Sequence, residues 1–227
     1  MAQGLTWDAG DVPRSRRFDD TYYAASDGQA ETAHVYLSGN DLPERWRGRE
    51  APFHLAEIGF GTGLSMLLAV SAWIEAGRPC PLILTSIEAW PLPAADRARA
   101  LARWPGLAAL NAGWLVDLPD RPGWHRLALD GATLTLGIGL AADLVSQMSR
   151  PVDAWFLDGF SPARNPEAWD AGLMTAVAAR TAPGGSVASF TAAGEVRRRL
   201  SAAGFSVTRA PGFGAKRHMT RGVLAPG

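Results

Sequence analysis

Residues 53–70 read F-H-L-A-E-I-G-F-G-T-G-L-S-M-L-L-A-V, with three glycines at alternate positions between two apolar runs. The first run, 53–58, has the length and near-continuous apolarity of a strand buried on both faces. The second, Leu64 to Ala76, is long enough for a helix and is closed by Gly77 and Pro79. Strand, glycine turn and helix in that order open a parallel α/β sheet, whose ligands sit at the carboxyl ends of the strands. Gly59, Gly61 and Gly63 let the backbone pass close to a ligand and take positive φ. A tight turn with nothing bound would use the same residues, so the surroundings must decide.

They decide by exclusion first. The dinucleotide fingerprint needs glycine where Leu64 stands, and no Gly-Lys-Ser/Thr follows to cradle a triphosphate. The loop is instead entered by an acid, Glu57, which would repel a pyrophosphate and attract a cation. The next strand, L-I-L-T-S-I-E (82–88), ends in Glu88, a carboxylate placed to accept from both hydroxyls of a ribose. S-adenosylmethionine has an ammonium, a sulfonium and a ribose but no phosphate. The acids at 57 and 88 therefore favour it over a nicotinamide dinucleotide, although Glu88 alone reads equally well as a solvated strand end.

Downstream the alternation continues. A helix is expected over Ala94–Ala102, and a hairpin turning at Asp130-Gly131 between W-H-R-L-A-L and A-T-L-T-L-G-I. V-D-A-W-F-L-D (152–158) reads as a strand and Pro166 to Ala179 as a helix. Pro183-Gly184-Gly185 reads as a turn into S-V-A-S-F, and Glu195 to Ala203 as a helix. Two final strands, F-S-V-T-R-A and T-R-G-V-L-A, lack a helix between them, so one should run antiparallel. Residues 1–50 do not follow the alternation and read as an N-terminal extension on a 51–227 domain, with a hairpin near Asp27-Gly28.

Asp158 ends the 152–158 strand on the same edge as the glycine loop and opens D-G-F-S-P (158–162). Methyltransferases acting on amines often carry a polar residue followed by prolines and an aromatic here. An oxygen acceptor orients the nitrogen lone pair, and a ring such as Phe160 packs on the amine-bearing group. A turn-capping aspartate beside a core phenylalanine is the plainer account of the same two residues.

Several stretches together resemble the methyltransferase half of the MnmC-type tRNA-modifying enzymes. They are S-R-R-F-D-D-T-Y-Y (15–23), V-Y-L-S-G-N (35–40), E-I-G-F-G-T-G-L (57–64), D-A-W-F-L-D-G-F-S-P-A-R-N-P-E-A-W (153–169), P-G-G-S-V-A-S-F-T-A-A-G-E-V-R-R-R-L (183–200) and G-F-G-A-K-R-H-M (212–219). The resemblance covers essentially the whole chain. It implies a class I methyltransferase fold: a Rossmann-like, seven-stranded, mostly parallel sheet with one antiparallel strand. It implies methyl transfer from S-adenosylmethionine to the aminomethyl nitrogen of 5-aminomethyl-2-thiouridine at the tRNA wobble position. Glu57, Gly59, Phe60, Gly61, Thr62, Gly63, Glu88 and Asp158 would hold the cofactor, with Asp158 and Phe160 at the reacting amine. Phe18, Asp19, Tyr22 and Lys216 would lie toward the substrate. Members carry an acid beside the adenine where this chain has Leu140, with Asp143 three residues on, which implies altered adenine recognition or a displaced loop. Many members continue into an FAD-dependent oxidase that prepares the amine; this chain reads as a stand-alone methylase or as the N-terminal part of a longer protein.

Composition bounds the partners. Formal net charge is +0 and the single cysteine, Cys80, excludes a disulfide framework; no Cys/His spacing suggests a metal. No secretory leader and no apolar run of about 18 residues is present, so a cytoplasmic setting is expected. Arginines cluster at 14, 16 and 17, at 45, 47 and 49, at 197–199, and at 217 and 221 beside Lys216. Such clusters suit an anticodon loop whose target base is flipped out, and Trp46 is placed to stack on a base; each cluster reads as well as a solvated face. A small-molecule amine methyltransferase, and a non-catalytic subunit that presents tRNA to a separate oxidase, are the competing readings.

Overall fold

A computed structural model describes residues 4–115, 118–129 and 131–225. Eight strands form one sheet: β4 (Phe53–Ile58), β5 (Leu82–Glu88), β6 (Gly123–Leu129), β7 (Ala132–Ile138), β8 (Val152–Leu157), β9 (Thr181–Ser189), β10 (Phe205–Pro211) and β11 (His218–Leu224). Their order is β10-β11-β9-β8-β4-β5-β7-β6, and β4, β5, β7, β8 and β9 run parallel to their neighbours among themselves. β11 is antiparallel to both β9 and β10, as the missing helix requires. The eighth strand is β6, the first arm of the expected hairpin, which pairs antiparallel with β7 and closes the far edge. The hairpin's Asp130 lies outside the described residues. Pro183-Gly184-Gly185 is a bulge within β9 rather than a turn before it: Val152 pairs with Thr181, but Ala154 pairs with Ser186.

Helices α2 (Leu64–Glu75), α3 (Ala94–Leu101), α4 (Pro105–Trp114), α5 (Ala141–Leu144), α6 (Ala171–Ala179) and α7 (Gly194–Ala202) cover the two faces. Helix α6 begins at Ala171 because Asp170 caps it, its side chain accepting from the Leu173 N–H; the residues before it form a separate short turn. The expected continuous helix from Pro166 is thus broken at its cap. Asp27 likewise caps a helix, α1 (Gly28–Thr32), where a hairpin was expected. The hairpin of this region lies earlier, in β1 (Leu5–Asp8) and β2 (Val12–Ser15), joined by the short β3 (Asp20–Thr21).

Helix α2 is apolar nearly all round, and the reason lies in the first 50 residues. Helix α1 and the π-wound turn Ala33–Leu37 lie against its outer side, so the sheet buries one face and Val35, Tyr36 and their neighbours bury the other. The following segment is pinned to the strands by polar contacts. Asn40 Nδ2 donates to the Trp155 carbonyl at 3.2 Å, and Ser186 Oγ donates to Asn40 Oδ1 at 2.6 Å. Arg45 donates to Ser186 Oγ at 2.6 Å and to the Asp153 carbonyl at 2.9 Å, and Arg49 pairs with Asp153 at 3.1 Å. Trp46 is 0% exposed and cannot meet a base; its ring packs edge-on to Phe53. This arginine cluster is mostly committed to the fold. Arg45→Met is therefore expected to cost about 2–3 kcal/mol in urea unfolding, by leaving buried acceptors unpaired, while cofactor affinity of the folded fraction stays unchanged.

Candidate active site

The carboxyl ends of β4, β5, β7 and β8 open into one cavity of about 460 Å³. That volume suits a nucleoside-sized ligand. From β4 come Gly59, Phe60, Gly61 and Thr62; from β5, Glu88; from β7, Gly139 and Leu140; from β8, Asp158 to Phe160. The sequence reading thus placed both acid-bearing loops on one edge correctly. Asp158 N–H donates to the Ile58 carbonyl at 3.0 Å, locking the two loops side by side. The approach is so close that a Cβ on Gly59 (φ +93°) would lie 2.2 Å from the Asp158 carbonyl oxygen. Gly61 (φ +53°) is covered by the Tyr22 ring, 3.0 Å from where its Cβ would be.

Glu88 is 9% exposed and does two jobs. Its Oε2 accepts from the Gly61 N–H at 2.8 Å and its Oε1 from the Trp90 N–H at 2.6 Å, so it holds the glycine loop in shape. Burial raises its pKa, against the lowering effect of those backbone donors.

Glu57 stands elsewhere than expected. It is 0% exposed and does not reach the cavity wall. Side chains alternate along a strand, so Ile58 faces the cavity and Glu57 turns under the loop. There its Oε2 accepts from Ser86 Oγ at 2.6 Å, and its Oε1 has no hydrogen-bond partner. Burial, and then the nearby Asp158 and Glu88 charges, push its pKa well up despite the Ser86 hydrogen bond. Besides Glu88, the carboxyl that reaches the cavity beside the glycine loop is Asp158, which accepts from Ser65 Oγ at 3.3 Å. Burial pushes Asp158 up to about 7, while Tyr36, Ser65, the Gly159 N–H and the Lys216 charge pull it down. The buried Tyr36 hydroxyl faces this carboxylate without closing a hydrogen bond of ordinary geometry.

A strap from the N-terminal segment roofs the cavity. Phe18 stacks on Phe160 with centroids 4.7 Å apart, and Tyr22 meets the same ring edge-on at 5.0 Å. Arg17 lies 3.9 Å over the Trp90 ring at the cavity wall. Asp19 is not in the wall: it pairs with Arg164 at 2.8 Å outside and clamps the strap to the loop after β8. The neighbouring Asp20 does a similar task, accepting from the Ser161 N–H at 3.0 Å. Ser65, Tyr36 and Trp90 were not singled out from sequence, and Arg17 only as one of a basic cluster at 14, 16 and 17. Ser65, first polar residue of an otherwise apolar helix start, was the one with a readable signal.

Leu140 lines the cavity and is 48% exposed, one of two large apolar side chains so exposed among the described residues. The Gly139 N–H donates to the Glu88 carbonyl at 3.0 Å, tying the start of this loop to the end of β5, and Asp143 does not line the cavity. A ligand ring covering Leu140 would remove that apolar surface from water.

Acidic groups at the wall, loop N–H groups held by a carboxylate, and an apolar ring site, with no phosphate-binding lysine, suit a cationic nucleoside. Fold and site together define a class I S-adenosylmethionine-dependent methyltransferase. The chain matches the family described as S-adenosyl-L-methionine-dependent methyltransferase over residues 108–225, just over half its length, and belongs to that family. It is 47% identical over 234 residues to the tRNA 5-methylaminomethyl-2-thiouridine biosynthesis bifunctional protein MnmC of Chromohalobacter salexigens, covering 97% of this chain and 33% of that protein. The protein of the same name from Chromobacterium violaceum is 44% identical over 228 residues, covering 97% of this chain and 34% of its own length. The chain spans about a third of the length of these relatives. Among solved structures, MNMC2 from Aquifex aeolicus has a similar fold, with TM-score 0.77 and 21% identity over 99% of this chain and 72% of that one. No helix among the described residues is long and apolar enough to cross a membrane.

Proposed function

We propose that this chain methylates the aminomethyl nitrogen of 5-aminomethyl-2-thiouridine at the tRNA wobble position, giving 5-methylaminomethyl-2-thiouridine. The observation that carries the reading is the position of Asp158, a partly buried carboxyl on the cavity wall between the glycine loop and Phe160. The similarity of 97% of this chain to about a third of proteins whose names specify biosynthesis of that nucleoside supports the substrate. Their description as bifunctional supports a partner activity, which the resemblance makes an FAD-dependent oxidase that prepares the amine.

S-adenosylmethionine supplies an electrophilic methyl on a sulfonium sulfur. The glycine loop and Glu88 would hold its ribose side, and the Phe18–Phe160 stack would exclude water from the amine. Asp158 accepts a hydrogen bond from the amine and so aims its lone pair at the methyl carbon. The methylated nitrogen would carry a positive charge that Asp158 stabilises until the extra proton leaves to solvent. Rate comes from positioning rather than from a covalent intermediate.

Nucleoside mass spectrometry of hypomodified tRNA incubated with the protein and S-adenosylmethionine tests the assignment. One added methyl on the wobble nucleoside is expected; no gain overturns it. Equal activity on free 5-aminomethyluridine without salt dependence would instead favour a small-molecule amine as substrate, a reading to which the zero net charge lends some support. The pH profile is a second check. Asp158, raised to about 7, accepts from the amine most strongly when ionised, and when protonated it can turn an O–H toward the nitrogen lone pair instead. Then kcat/KM should rise through pH 7 and climb further as the amine itself loses its proton; a flat profile from pH 6 to 9 with chemistry rate-limiting would contradict the mechanism.

A further inference from the structure

Behind Asp158 lies a second cavity, of about 170 Å³, which shares Thr21, Tyr22, Thr32, Asp158 and Gly159 with the first. Its remaining wall includes Glu31, Tyr36, Phe190 and Lys216. Glu31 is 7% exposed on α1, and its Oε1 is 2.7 Å from Lys216 Nζ. The same Nζ lies 5.0 Å from the Phe190 ring centroid. So a primary alkylammonium already rests in a box made of a carboxylate and an aromatic face, beside Asp158. Its owner is poorly confined: the Lys216 side chain is 50% exposed, on a turn closed by the Gly212 N–H to the Arg217 carbonyl at 3.1 Å. The backbone is fixed and the side chain can swing out. Glu31 is too buried to stand uncompensated, so departure of one ammonium favours entry of another.

We propose that the Glu31–Phe190 box is the docking site for the substrate's primary ammonium, and that Lys216 occupies it as a stand-in when substrate is absent. This rests on the amine-methylating function proposed above and identifies what that site recognises: a cationic aminomethyl group as opposed to its neutral hydroxymethyl isostere. Glu31 then contributes to selection and docking, and Asp158 to alignment.

The test is calorimetric binding of 5-aminomethyluridine and of 5-hydroxymethyluridine to the protein saturated with S-adenosylhomocysteine. The wild type should prefer the amine by about tenfold or more, the scale of one charge-assisted contact. In Glu31→Gln the preference should collapse toward one, with S-adenosylhomocysteine affinity unchanged. In Lys216→Met, which removes the competing internal ammonium, the amine should bind several-fold tighter. An unchanged preference in Glu31→Gln, or weaker amine binding in Lys216→Met, overturns the proposal. Should Glu31→Gln fail to fold, the Lys216→Met result decides alone. These readouts need no turnover, so absence of tRNA methylation would defeat the functional assignment while leaving the amine preference to stand or fall by itself.

Discussion

Asp158→Asn is expected to lower methyl transfer by roughly tenfold or more, because a neutral amide oxygen accepts from the amine more weakly than a carboxylate and so aligns it less well, and at the same time to raise thermal stability at pH 8. The two effects share one cause. Asp158 has a pKa of about 7 in the folded protein because burial penalises its charge, against 3.8 for an ordinary aspartate. Between those values the folded state holds a proton the unfolded chain has released. The contribution of Asp158 to stability is therefore full below about pH 4 and is lost as pH rises through 7. Asparagine carries no such penalty and also relieves the repulsion that Asp158 exerts on the buried Glu57. The variant should melt a few degrees higher than the wild type at pH 8, a shift in the range given by about 1–2 kcal/mol for a chain of this size, and with little difference at pH 4. Calorimetric scans at the two pH values measure this. Equal melting at pH 8, or retained activity, would remove Asp158 from the role given to it.

Gly59→Ala should be the most damaging single methyl addition in the loop. The residue has φ +93°, which alone costs a side chain about 1–2 kcal/mol. The new Cβ would also sit 2.2 Å from the Asp158 carbonyl oxygen and 2.9 Å from its carbon, backbone atoms that cannot turn aside. Overpacking of that kind adds roughly 1–3 kcal/mol. Gly77→Ala is the control: φ is +82° and nothing lies within 4 Å of the added methyl, so only the backbone strain remains. Urea unfolding should therefore show Gly59→Ala losing about 2–5 kcal/mol and Gly77→Ala about 1–2. Cofactor binding should fail in the first variant alone. Equal losses would mean that the β4 and β8 loops are not locked together as described.

The strands that carry the site were legible because each is a short apolar run ended by glycine or acid, and this pattern survives without tertiary context. Phe53–Ile58, Leu82–Glu88 and Val152–Leu157 fall where their composition puts them. Elements bounded by capping were less legible. Asp27 and Asp170 are turn formers and helix caps alike, and only a hydrogen bond to a following N–H tells which. Charge was the least legible. Arg45, Arg47 and Arg49 look like one basic patch, yet Arg45 and Arg49 are spent on strand carbonyls and Asp153, and only Arg47 remains outside with Glu44.

By itself the sequence determined the class of sheet, the edge at which its cavity opens and the acidic character of that edge. These follow from periodicity, glycine and carboxylate, which are local properties of the chain. Which carboxylate faces the ligand was decided only in three dimensions. Glu57 and Asp158 end neighbouring strands, but strand alternation and α2 bury the first while the close approach at Gly59 sets the second on the cavity wall. The same holds for Glu31, Tyr36 and Lys216, distant along the chain, which meet at Asp158 because the first 50 residues must cover the outer face of an apolar helix.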